Sequence, residues 1–90
     1  MYRQPLTIQN PRGIHLRPTT LILAMRNRYA DTTVGLIRED GTRTMIDSSL
    51  ELLGMGLTAG TRLTLETNGP DELECAARLA ELLQKTYDFK

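Results

Sequence analysis

The 90-residue sequence predicts an α+β fold in the order βαββαβα, an open-faced sandwich with an antiparallel four-stranded sheet and its helices on one face. Short runs with strand-type alternation or β-branched residues predict four strands. Apolar residues at helical spacing follow two of the prolines, Pro18 and Pro70, which suit the first turn of a helix. Glu39-Asp40-Gly41 is typical of a hairpin turn, and hairpins join antiparallel strands.

Tyr2 to Gln9 reads as the first strand, and Pro5 within it indicates an edge position or a late start. The first helix is expected from about Leu16 to Tyr29, after the loop Asn10-Pro11-Arg12-Gly13. Its predicted inward stripe is Leu21, Ile22, Met25 and Tyr29, and the residues off that stripe are Leu16, Thr20, Leu23 and Ala24.

The middle of the chain is expected to form a hairpin and a short helix. Its strands are predicted at Asp31 to Arg38 and at Thr42 to Ile46, on either side of the Asp-Gly turn. Ser48-Ser49-Leu50-Glu51 has the form of a capping box, with serine at the cap and glutamate three residues later. The helix that it opens is predicted from about Ser49 to Leu53, before Gly54 and Gly56.

The last strand is predicted at Thr61 to Thr67, with Leu63 and Leu65 inward. Pro70-Asp71-Glu72 opens the last helix, because proline and acidic residues both suit a first turn. The buried stripe of that helix is predicted to be Leu73, Ala76, Ala77, Ala80, Leu83 and Tyr87, and Cys75 is expected to pack beside it as a small apolar residue.

Composition narrows the function classes. Eleven basic and eleven acidic side chains give a formal net charge of zero, which argues against broad electrostatic binding of nucleic acid or of an anionic membrane. Four aromatic residues and no aromatic-basic strand motif also disfavour RNA binding. A single Cys75 allows no internal disulfide. With no signal-peptide pattern and no long apolar run, we expect one domain over residues 1–90 in a reducing cytoplasm.

The candidate functional motif is Gly13-Ile14-His15-Leu16-Arg17-Pro18, which contains the only histidine of the chain. Gly13 permits a sharp turn, and Pro18 indicates that a helix begins here. His15 therefore lies where backbone N–H groups and the positive end of the helix dipole favour an anion. An unprotonated imidazole is a competent nucleophile near neutral pH, so His15 with Arg17 could carry a phosphoryl group. The alternative is that His15 only caps the helix and Arg17 is a solvated charge.

Resemblance decides between these interpretations. Asn10 through Pro18 resembles the active-site segment of the HPr family, the histidine phosphocarriers of bacterial phosphotransferase systems. Residues 47–56 are similar to the second-helix segment of that family, and residues 60–65 followed by residues 68–72 resemble its last strand and the start of its last helix. The resemblance covers nearly the whole chain, in the order of the family and at close to its spacing.

The resemblance implies a strand order of 1-4-2-3 and a phosphoryl group carried on Nδ1 of His15, with Arg17 neutralising its charge. It implies Enzyme I as donor, an Enzyme IIA domain as acceptor, a monomeric carrier and no metal or organic cofactor. An apolar docking patch is expected around His15, formed by Leu16, Thr20, Ala24, Leu50 and Leu53, although a core role for Leu53 is equally open. A regulatory binding module, nitrogen-related or of the catabolite-control type, is the alternative function.

Ser48 aligns with the serine that HPr kinase phosphorylates in some bacteria, so HPr kinase or a regulator is a further candidate partner. Asp47 precedes it where the family usually carries lysine, and Ser49 replaces a typical apolar contact. A neighbouring negative charge disfavours addition of phosphate. We therefore predict that Ser48 is mainly a helix cap and is not efficiently phosphorylated.

Overall fold

The structure of the protein is a computed structural model, and it describes residues 1–87. Its elements follow the predicted order βαββαβα. The strands are β1 (Tyr2–Thr7), β2 (Thr33–Arg38), β3 (Arg43–Met45) and β4 (Arg62–Asn68). The helices are α1 (Leu16–Asn27), α2 (Ser49–Gly54) and α3 (Glu72–Gln84).

The four strands form one antiparallel sheet in the order β1-β4-β2-β3, which confirms the predicted topology. β1 is an edge strand, and Pro5 lies within it opposite Thr64. An edge strand accommodates the missing N–H of proline because one side of the strand has no neighbour. The Asp40-Gly41 turn joins β2 to β3, with Gly41 at a φ of +92°, as the hairpin prediction requires.

The three helices cover one face of the sheet and enclose the core. α3 packs over β1 and β4, α1 packs against α3, and α2 packs against α1. On the opposite face, Glu66 lies between Arg3 and Arg43, with Nε of Arg3 at 2.8 Å and Nη2 of Arg43 at 3.1 Å from its carboxylate. The buried apolar core includes Leu6, Ile8, Ile14, Ile22, Leu23, Leu52 and Leu57.

The predicted inward stripe of α1 is wrong at two positions. Leu21 is 45% exposed and Leu23 only 8% exposed, whereas the prediction placed Leu21 inward and Leu23 off the stripe. The buried face of α1 is formed by Pro18, Thr19, Ile22 and Leu23. Successive helical residues are rotated by about 100°, so a helix that turns Ile22 and Leu23 toward the sheet turns Leu21 toward solvent. α1 also ends at Asn27, and Tyr29 packs against the core from outside the helix.

The predicted stripe of α3 is wrong in a similar way. Leu73 and Ala77 are exposed, and Cys75 and Leu79 are buried beside Ala76, Ala80 and Leu83. The burial of Cys75 confirms its expected packing role, and that burial raises the pKa of its thiol. Tyr87 lies beyond the end of α3 at Gln84, so it is not part of the helical stripe.

Candidate functional site

His15 lies at the start of α1, as the motif predicts. It is the N-cap residue, with an extended backbone (φ −105°, ψ −164°), and its side chain is half-buried. The first intrahelical bond runs from the N–H of Thr19 to the carbonyl oxygen of His15, at 3.0 Å. Pro18 has no N–H, and those of Leu16 and Arg17 belong to a first turn whose N–H groups point out of the helix end. The imidazole therefore lies at the positive end of a 12-residue helix.

The loop before His15 is fixed by backbone contacts with Leu57. Gly13 has a φ of +68°, and a Cβ atom there would lie 2.1 Å from the carbonyl oxygen of Leu57. That oxygen accepts the N–H of Ile14 at 3.0 Å. Glycine is required here for two reasons, because only glycine adopts this φ readily and only glycine leaves room for Leu57. The loop thus reaches His15 along a defined path.

Two arginines lie close to His15 in the sequence. Arg17 follows His15 by two residues, Arg12 lies in the loop that precedes His15, and both arginine side chains are exposed. Nε2 of His15 is buried from solvent. These features suit an anionic group held at the outer side of the ring.

Asn10 and the C-terminal segment are parts of this site that the sequence analysis did not assign. Asn10 is fully buried, and its Nδ2 donates to the carbonyl oxygen of Gly13 at 2.8 Å. Its Oδ1 accepts the N–H of Tyr87 at 2.8 Å. An asparagine before a glycine turn is a signal for a local side-chain hydrogen bond. Nothing in the sequence indicated that residue 87 would meet residue 10.

Ser48 is the N-cap residue of α2, as predicted, with φ −147° and ψ 171°. The predicted capping hydrogen bond is wrong, however, because the serine side chain makes none with the helix backbone. Its hydroxyl donates instead to the carboxylate of Glu51. That bond lowers the pKa of Glu51 below its usual value, since it stabilises the ionised form.

The predicted patch residues lie on α1 and α2. On α1, the exposed patch residues are Leu16, Thr20 and Ala24. On α2, Leu50 is 79% exposed and Leu53 is half-buried. A solvent-exposed leucine as open as Leu50 adds nothing to the core. Leu53 retains both interpretations, because a half-buried side chain can contact core and partner alike.

A groove of about 470 Å³ separates α1 from the segment that leads into α2. Arg26 connects α1 to that segment, since its Nε donates to the carbonyl oxygen of Ile46 at 2.9 Å. Nη2 of Arg26 lies 3.6 Å from the carboxylate of Asp47. The groove is lined by Thr20, Leu23, Ala24, Asn27, Asp47, Ser48 and Ser49.

Residues 1–87 contain neither a cluster of metal-ligating side chains nor a helix suited to span a membrane. No three or more histidine, cysteine, aspartate and glutamate side chains are grouped so that they could share a metal ion. No helix in this range combines the length and the apolar character needed to cross a bilayer.

Comparison with known proteins defines the class. A family model described as "PTS HPr component phosphorylation site" matches residues 2–85. The chain is 30% identical to the phosphocarrier protein NPr of Klebsiella oxytoca, over 96% of this chain and 94% of that protein. It is 28% identical to the HPr-like protein Crh of Bacillus subtilis, over 94% and 98% of the two chains. The crystal structure of a phosphocarrier protein HPr from Bacillus anthracis has the same fold, with a TM-score of 0.82 at 20% identity over 92% of this chain and 96% of that one.

These matches, together with the four-stranded sheet and its helices on one face, identify a phosphocarrier of the phosphotransferase type. The chain belongs to the HPr family.

Proposed function

We propose that this protein accepts a phosphoryl group from phospho-Enzyme I on His15 and passes it to a histidine of an Enzyme IIA domain. The observation that carries the proposal is the position of His15, the only histidine of the chain, at the positive end of α1 beside the exposed Arg17. We propose further that residues 1–90 act as one HPr-like domain, as a monomer in the cytoplasm and without a resident cofactor. Family membership supports these assignments.

The acceptor atom is Nδ1. Its lone pair attacks phosphorus in line with the nitrogen of the donor histidine, and as the new N–P bond forms the old one breaks, leaving its electron pair on the donor imidazole. Burial of Nε2 supports this choice, because a buried nitrogen is poorly placed to meet a donor protein. The transfer requires alignment and charge stabilisation more than new covalent chemistry.

Arg17 and the first turn of α1 neutralise the transferred group. The guanidinium of Arg17 and the backbone N–H groups of Leu16 and Arg17 are the donors at the helix start. An exposed site of this kind stabilises the phosphoryl group while leaving it accessible to the next acceptor. A carrier that bound the group more tightly would slow its release.

The decisive experiment is incubation of the protein with phosphoenolpyruvate and Enzyme I of the same organism. We expect one acid-labile, base-stable phosphate on wild type and none on His15→Ala, with the melting temperature of the variant within a few degrees of wild type. Equal labelling of His15→Ala would contradict the proposal. Transfer of the label to Enzyme IIA domains, sugar-specific or nitrogen-related, then identifies the branch that the carrier serves.

Docking is proposed on the patch of Leu16, Thr20, Ala24, Leu50 and Leu53. Leu50→Glu should weaken binding of Enzyme I with a change in stability of at most about 0.5 kcal/mol, because the side chain is exposed. Leu73→Glu on α3 is the matched control, since Leu73 is exposed on another helix. A large fall in melting temperature, or an equal loss of binding in the control, would count against the patch.

The second candidate function is a regulatory module of the HPr type, in which phosphorylation switches contacts with a regulator. The groove beside Ser48 favours it, because this surface could dock a protein without the chemistry of His15. In that case His15→Ala would bind its regulator as wild type does, and wild type would pass no phosphate to any Enzyme IIA domain. Onward transfer from wild type would favour the carrier.

A further inference from the structure

Asn10 connects two segments of the chain that lie 77 residues apart. Its side chain is fully buried, and the two ends of its amide serve different partners. Nδ2 donates to the carbonyl oxygen of Gly13, and Oδ1 accepts the N–H of Tyr87, each at 2.8 Å. The backbone oxygen of Asn10 also accepts the N–H of Gly13 at 2.8 Å. A buried amide satisfied on both sides fixes its partners in place.

The peptide group between Gly13 and Ile14 is consequently bound at both of its polar atoms. The side chain of Asn10 binds its carbonyl oxygen, and the carbonyl of Leu57 binds its N–H at 3.0 Å. This planar group is separated from the peptide group that carries the N–H of His15 only by the φ and ψ angles of Ile14. The side chain of Ile14 is itself buried in the core. Because the peptide group between Gly13 and Ile14 is held in place, the direction of the backbone at His15 is held as well.

We propose that Asn10 is a positioning residue for phosphoryl transfer: it orients the loop that presents His15, and through Tyr87 it makes the C-terminal segment part of that support. The inference rests on the proposed function. Its consequence is kinetic. In-line transfer loses about 100-fold in rate when a reacting group is displaced by about 1 Å, so a freed Gly13 carbonyl slows transfer even where the fold survives.

Asn10→Asp distinguishes the hydrogen bond to Gly13 from the hydrogen bond with Tyr87. Aspartate has nearly the shape of asparagine and keeps an oxygen for the N–H of Tyr87, but its carboxylate cannot donate to the carbonyl of Gly13. Asn10→Ala removes both contacts. The matched control is Thr67→Val, because Thr67 is also fully buried and its hydroxyl donates to the carbonyl oxygen of Glu72 at 2.8 Å.

The control lies at the other end of the sheet from the His15 loop. Thr67 pairs with Tyr2 at the start of β1, whereas Arg62 pairs with Thr7 at the end of β1 that leads into the loop. Five residues along a strand correspond to about 17 Å. Thr67→Val thus removes one buried hydrogen bond, as Asn10→Asp does, without reaching the loop.

The experiment measures KM and the maximal rate for transfer from phospho-Enzyme I, the melting temperature, and the NMR signals of the His15 ring. Both Asn10 variants should lower the maximal rate by about tenfold or more and move the ring signals, with KM little changed because the exposed patch is intact. Thr67→Val should lower the melting temperature and change neither kinetics nor ring signals. Wild-type rates in the Asn10 variants, or an equal loss of rate in Thr67→Val, would overturn the inference.

A second pair of variants covers the case in which the Asn10 variants do not fold. Tyr87→Pro removes the N–H that Oδ1 of Asn10 accepts, in a residue outside α3. Thr86→Pro is its control, because Thr86 is exposed and Lys85 before it is already extended, as the residue before a proline must be. Slower transfer in Tyr87→Pro alone supports the inference, and equal rates in the two variants overturn it. Absence of phosphate on wild type would instead overturn the proposed function.

Discussion

His15 and Ser48 occupy equivalent positions at the starts of two helices of this protein. Each is an N-cap residue with an extended backbone, and neither caps its helix through its side chain. Each is also a residue type that can accept phosphate. By backbone geometry alone, the two sites would be equal candidates for phosphorylation.

Charge and helix length distinguish them. Arg12 and Arg17 lie near His15, and α1 has 12 residues. Asp47 precedes Ser48, the carboxylate of Glu51 accepts a hydrogen bond from the hydroxyl of Ser48, and α2 has only 6 residues. A phosphoryl group gains attraction at the first helix start and meets repulsion at the second. The neighbouring side chains, more than the helix start itself, therefore decide which of the two positions favours an anion.

The largest effect is expected from Gly13→Ala, which forces a Cβ onto the carbonyl of Leu57 at a φ of +68°. We expect a loss of about 2–4 kcal/mol in the free energy of unfolding and a strong loss of phosphoryl transfer. Gly54→Ala is the matched control on the Ser48 side, because nothing lies within 4 Å of the added Cβ. It should be neutral or stabilise by up to about 1 kcal/mol. Chemical denaturation measures both, and equal stabilities would contradict the requirement for glycine before His15.

The next effect is expected from Arg17→Gln, which removes the cation at the first turn of α1. We expect kcat/KM for transfer from phospho-Enzyme I to fall about 10- to 100-fold, because charge on the phosphoryl oxygens loses its partner. Arg28→Gln is the control, as Arg28 is exposed at the other end of α1, about 16 Å along the helix axis. A similar fall in both variants would mean that only the overall charge matters.

The fold was predictable because its signals are local. The Asp40-Gly41 turn, the prolines at helix starts and the alternation around Leu63 and Leu65 all act within a few residues. The strand order came from resemblance. The errors at Leu21 and Leu73 have one cause: both helices carry leucine on more than one side, so apolar spacing alone does not reveal which side faces the sheet.

The candidate site was predictable in part for the same reason. Gly13, His15, Arg17 and Pro18 lie within six residues, so their spacing predicted a turn followed by a helix start at His15, and resemblance to the HPr family supplied the expected roles of His15 and Arg17. The contact between Asn10 and Tyr87 joins positions 77 residues apart, which no local pattern encodes. The hydroxyl of Ser48 donates to Glu51 where a capping bond was expected, because a carboxylate three residues away competes with the backbone for the same hydroxyl.

A smaller effect is expected when the charges around Ser48 are changed. With HPr kinase and ATP, wild type should receive little phosphate on Ser48, since the phosphate would lie beside Asp47 and Glu51. The double variant Asp47→Lys with Glu51→Gln should be labelled severalfold more, because both repulsive charges are gone. Mass spectrometry locates the phosphate, and Ser48→Ala in the double variant is the control. Stoichiometric phosphate on wild-type Ser48 would contradict the prediction and favour the regulatory function.

The smallest effect concerns stability against pH. The bond from Ser48 lowers the pKa of Glu51 below its usual value of 4.5, so the ionised form is favoured in the folded state. A carboxyl group whose pKa is lower in the folded than in the unfolded state stabilises the fold above its unfolded pKa, and that contribution disappears as the pH falls through the lowered value.

Ser48→Ala should therefore lower the melting temperature slightly at pH 7, and the difference from wild type should narrow below about pH 4.5. Glu51→Gln should remove the same pH-dependent part. Thermal melts from pH 7 to pH 3 test this, and a difference between wild type and Ser48→Ala that stays constant throughout would show that the serine acts on the helix backbone and not through Glu51.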